Sequence, residues 1–404
     1  MGDLWFSGIH LLGMVGGITL GLLILGKIAD LAIPFYRKQI DKETTAERFH
    51  SIDGMRGFLA IGVMFHHCVI NYYLRVTTGK WEAPPSNVAL MFGQIGVAMF
   101  FMVTAFLFWN RALTTEGNID IRKFFWSRIM RMFPMYCVAA LLLVYTAVWM
   151  CSFNLNVPLW LLGRQTIAWL SFTAIDAPDV NGLHDTGLIN TVFWSLRYEW
   201  AFYLAFPILT LFAKGRVAWA AWFACLALVW MFSATNYEWY FVFGALAALL
   251  NVHAPRIKKL CQSTLSSVVV VAMLVLTVKT ANTAYIPHAA VLLFIAFLII
   301  ANGNTMFGIL TLRPARVLGL ISYSVYLLHN WVISTGSWLI GRNFDLKTLS
   351  PLEYWALTGC FSVSTILLAL VTYRVIEFPF LGLRLPSWVS ASKKVSADTA
   401  VSSR

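Results

Sequence analysis

The chain has 404 residues, of which 59% are apolar and only 12% charged, with a mean hydropathy of +0.72. Several apolar runs pass the ~20 residues that cross a hydrocarbon core, which excludes a soluble enzyme, a nucleic-acid binder, a secreted disulfide scaffold and a disordered chain for most of the length. Thirty Lys and Arg against 18 Asp and Glu leave a net charge of +12, which in a membrane protein marks cytoplasmic loops against an anionic leaflet.

Apolar segments bounded by charge or turn residues fall at 5–26, 55–74, 89–109, 132–151, 192–213, 217–234, 237–251, 265–281, 286–303, 317–340 and 353–376. They predict an all-α, polytopic transmembrane bundle of about eleven spans. The first run follows Asp3 instead of a basic region and has no convincing cleavage site, so it reads as a retained span. Placing 27–52 inside gathers most basic residues on one side, among them Arg37, Lys38, Arg122, Lys123, Lys258 and Lys259. The amino terminus is therefore expected outside and the carboxyl terminus in the cytoplasm. Two outer connections, 75–88 and 152–191, are long, and the second holds an apolar piece at 159–175 that suits a re-entrant or surface helix. This divides the chain into an N-terminal span with a basic linker (1–52), a membrane domain (53–380) and a short polar tail (381–404) expected to be disordered. The six cysteines are scattered without CxxC or histidine neighbours, which supports neither a disulfide framework nor a metal site.

An ionisable side chain at bilayer depth costs at least ~2.5–3.5 kcal/mol on insertion scales, so each one marks a candidate site. In the second segment, Asp53, Arg56, His66 and His67 qualify. Eleven residues separate Arg56 from His67, which returns the helix to within about 20° of its starting direction but places the two ~16 Å apart along the axis. They cannot form a hydrogen-bonded dyad, yet they can serve opposite ends of one long ligand. The alternative is that Arg56 snorkels to the headgroups and His67 is a satisfied interior histidine. Phe124-Phe125-Trp126-Ser127-Arg128-Ile129-Met130-Arg131 sets two guanidinium forks beside aromatics, a combination that suits phosphate and a nucleotide base as well as plain cytoplasmic anchoring. Trp194, Arg197 and Glu199 enter from the outer side. There Glu199 can orient an imidazole or accept from sugar hydroxyls, or pair with Arg197 as a structural bridge. Ser322, Tyr326 and His329 share a helix face. Cys68 lies about 100° round the helix from His67 and reads as packing.

The order of these signals is more specific than any one of them. Asp53-Gly54-x-Arg56-Gly57 with His67, then Gly96-Val97-Ala98-Met99-Phe100-Phe101, Arg128-x-x-Arg131 with Pro134, Trp194-Ser195-Leu196-x-x-Glu199 and Ser322-Tyr323-x-x-Tyr326-Leu327-x-His329 resemble the acyltransferase-3 family from about 50 to 380. Two details depart from the usual pattern: Thr104-Ala105-Phe106-Leu107 replaces Ser-Gly-Phe-Leu, and Arg197 adds a cation on the acceptor side. The N-terminal span is an addition to the common ten-span core.

The resemblance implies a membrane O-acyltransferase that moves an acyl group, most commonly acetyl, from cytoplasmic acetyl-CoA to a hydroxyl of an extracytoplasmic carbohydrate such as lipopolysaccharide O-antigen or exopolysaccharide. O-acylation of a lipid or antibiotic-like molecule is the alternative within the same fold. His67 is implied as the catalytic histidine and Arg56, Arg128 and Arg131 as the acyl-CoA site, with Glu199 assisting and Asp53, Tyr326, His329, Trp194 and Arg197 as further candidates. The partners implied are the bilayer of a bacterial inner membrane, acyl-CoA and a carbohydrate, with no metal and no nucleic acid. Some relatives carry an extracytoplasmic hydrolase-like domain. None follows the last apolar segment here, which implies transfer to the acceptor directly or to a separate protein. From a different class, a multi-span exporter of an anion or polyol shares the spans, the intramembrane histidine and the cationic pocket, but no broken helices in matching halves indicate an inverted repeat.

Overall fold

A computed structural model describes residues 2–44 and 49–385, and all regular structure among them is helical. Helices α1 (Gly8–Ala32) and α2 (Pro34–Thr44) precede α3 (His50–Tyr72), which ends in a π turn over Tyr73–Thr77. Next come α4 (Asn87–Thr114), α5 (Ile121–Met150), α6 (Leu159–Leu170), α7 (Phe193–Thr210), α8 (Gly215–Phe232), α9 (Glu238–His253) and α10 (Pro255–Cys261). The bundle is completed by α11 (Thr264–Thr280), α12 (Pro287–Ala301), α13 (Arg313–Leu320), α14 (Ser322–Gly341), α15 (Pro351–Thr372) and the short α16 (Phe378–Leu381).

The apolar runs continue as helix until a cap or a turn stops them. Ser86 accepts from the Ala89 amide at the start of α4, and Asp120 accepts from the Arg122 and Lys123 amides, both at 3.1 Å, at the start of α5. At α15, Ser350 and Glu353 form a reciprocal capping box. Each expected apolar segment is helical, but the expected eleven crossings are not established. Six helices are long and apolar enough to cross a membrane, or up to eight when each of two bent pairs is one span. The others fall short in length, as α11 and α12 do, or in apolarity, as with α7, whose 18 residues include Ser195, Arg197 and Glu199.

Two expected straight segments bend. The run at 317–340 breaks at Ile321, where α13 meets α14 at 69°, and α9 turns by 107° into α10. The first bend follows from packing α13 backbone to backbone against α3. A Cβ on Gly57 would lie 2.8 Å from the Gly319 amide nitrogen, and one on Gly319 would lie 1.9 Å from the Asp53 carbonyl oxygen. In lipid, helices associate through close van der Waals fit more than through water exclusion, so small residues sit where backbones touch. The helix start that carries Asp53 and Arg56 is thereby fixed against the helix break that opens α14.

The N-terminal helix is held from both ends. Arg313 donates to both carboxylate oxygens of Asp30, at 2.7 and 2.8 Å, and to Asp41 at 2.8 Å. At the other end Phe6 stacks between Tyr72 and Trp355, with ring centroids 3.8 and 5.3 Å away. Ile9, Leu20, Ile24 and Ile28 face outward from α1, as do Trp230, Met231 and Phe232 from α8, as lipid-facing helices require. The 159–175 piece forms the 12-residue α6, too short to span. Of the expected polar tail, 386–404 lie outside the described residues.

Candidate functional site

Faces of five helices build the site. Helix α3 supplies Asp53 and Arg56, α5 supplies Arg128 and Arg131, α7 supplies Ser195, Glu199 and Tyr203 at four-residue spacing, and α14 supplies Ser322, Tyr323 and Tyr326. With Arg111, Thr104 and Phe108 from α4 these residues line a cavity of 490 Å³. Arginines 128 and 131 lie in the N-terminal half of α5, because Asp120 starts that helix well before the apolar run at 132.

This arginine end has donors to spare. The Arg128 guanidinium lies 4.8 Å above the Phe108 ring centre and donates to Ser127 at 3.0 Å, yet its Nε is buried without a hydrogen-bond partner among the described residues. Four arginines (56, 111, 128, 131) face three carboxylates (Glu43, Asp53, Glu199) across the cavity. Glu199 does not pair with Arg197. It accepts from Tyr203 and, at 3.3 Å, from Thr104, so its carboxylate belongs to this cavity and does not touch His67.

The cavity wall reaches Ser195 and Tyr326, which are hydrogen-bonded to each other at 2.7 Å, and includes neither His67 nor His329. Beyond Tyr326, whose ring centre is 6.1 Å from that of His329, lies the histidine end. There His67 Nδ1 sits 2.8 Å from His329 Nε2, with the rings stacked 5.0 Å apart. His329 Nδ1 faces the Val325 carbonyl at 3.0 Å, and the Thr191 hydroxyl faces His67 Nε2 at 3.2 Å. Crossed amide bonds hold Thr191 in place: Asn190 donates to the Leu327 carbonyl at 2.7 Å and Asn330 to that of Leu188 at 3.1 Å. Trp81, from the 75–88 connection, stands 5.9 Å from the His67 ring. His66 turns away to the Ala89 carbonyl at 3.0 Å.

The structure therefore joins Asp53, Arg56, Arg128, Arg131, Glu199 and Tyr326 in one cavity and His67 with His329 in a second, adjacent cluster. Trp194 and Arg197 belong to neither. Trp194 packs on Tyr237 with ring centroids 4.9 Å apart, and Arg197 lines a separate hollow with Phe172 and Trp200. Thr191 beside His67, and Arg111, Tyr203 and Tyr323 on the cavity wall, were not among the site residues expected from the sequence. Tyr203 was legible as the next i+4 step after Glu199. Glu377 lies one residue past the last apolar segment, buried, and accepts from Ser324 of α14. Thr191 had no signal, because its contact with His67 crosses 124 positions of chain.

A family profile described as an acyltransferase domain matches residues 49–374. Comparison with curated proteins and with solved structures gave no match.

Proposed function

The chain belongs to the acyltransferase-3 family of membrane acyltransferases, and from that premise we propose that it moves an acyl group, acetyl first among candidates, from acyl-CoA to a hydroxyl of an extracytoplasmic acceptor. The observation that carries this reading is the adjacency of an arginine-lined cavity to a buried imidazole pair: Tyr326, hydrogen-bonded to Ser195 on the cavity wall, has its ring centre 6.1 Å from that of His329. Guanidinium forks bind phosphate through paired charge-assisted bonds, so the CoA phosphates dock at Arg128, Arg131 and Arg56. The pantetheine arm runs along the Glu199–Ser195 face of α7, and its thioester reaches His67 when the Tyr326 hydroxyl swings from Ser195.

His67 then takes the proton from the acceptor hydroxyl as that oxygen attacks the thioester carbonyl carbon. The C–S bond breaks, and the proton returns to the departing sulfur. Loop charge favours a cytoplasmic arginine end and an amino terminus outside, in a bacterial inner membrane. A surface polysaccharide is the favoured acceptor because it is a common substrate in the family this chain resembles, and Trp81 beside His67 offers a face for a sugar ring. The test gives membranes holding wild-type or His67→Ala protein labelled acetyl-CoA and follows label into purified surface glycan. Label that appears with wild type and is lost in the variant is the expected result. Equal label in both sinks the role of His67, and export of a solute with no acetyl-CoA consumed sinks the enzyme reading.

A further inference from the structure

The histidine end is a series of hydrogen bonds whose directions can be worked out one at a time. The Val325 carbonyl can only accept, so His329 Nδ1, 3.0 Å away, carries a hydrogen and donates to it. A neutral imidazole has a single N–H, which leaves His329 Nε2 as a lone pair. Two ring nitrogens 2.8 Å apart need one hydrogen between them, and it must come from His67 Nδ1. His67 Nε2 is then the bare nitrogen, and the Thr191 hydroxyl donates to it at 3.2 Å. Both rings are buried, His329 fully and His67 at 9% exposure, and no carboxylate is hydrogen-bonded to either among the described residues, so neutral rings are the state this site favours.

We infer that His329 is a positioning residue for His67: through the Val325 carbonyl it holds His67 in the Nδ1–H form and presents Nε2 as the proton-accepting atom, at the place the Thr191 hydroxyl marks. The arrangement does the work of the aspartate in a Ser-His-Asp triad, with a neutral ring and a helix carbonyl in its place. Its catalytic consequence rests on the acyl-transfer reading, whereas its geometry does not. In that reaction the acceptor O–H proton moves to Nε2 as the C–O bond to the acyl carbon forms. The same proton leaves Nε2 with the sulfur when the C–S bond breaks. The Nδ1 hydrogen stays throughout, and its bond to His329 stabilises the imidazolium that exists between the two transfers.

The experiment is a nitrogen-15 spectrum of histidine-labelled full-length protein in lipid nanodiscs at neutral pH, with the His67 signals assigned by their loss in His67→Gln. His329→Gln keeps a carbonyl acceptor facing Nδ1, and His329→Leu removes it. Wild type and His329→Gln are expected to show a protonated Nδ1 and a bare Nε2 at His67, and His329→Leu to lose that pattern. For acyl transfer, His329→Leu should lower kcat ~100-fold with the KM for acetyl-CoA within about twofold, and His329→Gln should recover about tenfold of the loss. A protonated Nε2 at His67 in wild type overturns the inference, as does a His329→Leu protein that keeps the wild-type pattern and kcat. Should the leucine variant fail to insert, wild type and His329→Gln decide by the same spectrum. A protein with the expected spectrum that consumes no acyl-CoA supports the relay and overturns the acyl-transfer reading instead.

Discussion

The two ends of the site are built on opposite principles. At the arginine end, guanidinium groups line 490 Å³ of open space, and at least one donor, Arg128 Nε, is buried with nothing to bond among the described residues. The histidine end is closed around its two rings: both nitrogens of His67 and both nitrogens of His329 have partners, and the flanking Asn190 and Asn330 amide nitrogens donate to backbone carbonyls, with Asn190 Oδ1 the buried atom left without a partner among the described residues. An unmet cationic donor is costly until an anion meets it, so the first end has the makings of an anion site, as the proposed acyl-CoA reading requires. A finished hydrogen-bond series holds one geometry before any ligand comes, which is what a proton-transferring group requires. Under the proposed acyl-transfer reading, binding and chemistry would fall to different, adjacent clusters.

Substitutions can break that contrast, and the largest effect is expected at the closed end. His67→Ala should lower kcat by ~10²–10⁴-fold with little change in acetyl-CoA affinity, as measured by equilibrium binding to purified protein. Unchanged turnover would mean that the closed end is only structural. At the open end the pattern should invert. Arg128→Ala loses a charge-assisted phosphate contact of ~1.5–3 kcal/mol, about 10–100-fold in KM for acyl-CoA, while kcat is nearly kept. Raised salt should weaken wild-type binding by screening at this open mouth. A fall in kcat with KM constant would place Arg128 in the chemical step and erase the contrast.

Smaller effects probe the frame that joins the ends. Gly319→Ala puts a Cβ 1.9 Å from the Asp53 carbonyl oxygen, where backbone must shift, and should destabilise the protein by ~1–3 kcal/mol, seen as a lower thermal midpoint in detergent. Because the shift displaces the turn that carries Arg56, acyl-CoA affinity should fall with it. A wild-type midpoint would show that α3 and α13 are not in contact as described. The smallest change is expected for Thr191→Val. The acceptor hydroxyl takes over the place of the threonine hydroxyl at His67 Nε2, so kcat should stay within about threefold of wild type. A loss near that of His67→Ala would make Thr191 a proton carrier in its own right.

Much of the fold and of the site is legible in the sequence. Helical class follows from the length of the apolar runs, since a backbone in lipid must satisfy its own hydrogen bonds. Asp53, Arg56, His67 and His329 stand out because charge and imidazole are expensive at bilayer depth, and Arg128 with Arg131 because a three-residue spacing sets them on one face. Period and solvation energy are local properties, readable along one segment. The break at Ile321 is not readable in this way: Gly319 allows it, but its cause is the backbone of α3, which lies hundreds of residues earlier. The placing of Glu199 with the arginines is equally hidden, because the expected entry of α7 from the outer side does not say which partners its face meets.

The pairing of His67 with His329 across 262 positions, and of His67 with Thr191 across 124, shows the same limit from the other side. Residue type and spacing determined which groups could do chemistry and how far apart they stand along their own helices. Which nitrogen holds the proton and which carboxylate faces which arginine were decided only by helices packed against one another. Hydrogen bonds act over about 3 Å, and only the folded chain brings distant segments that close.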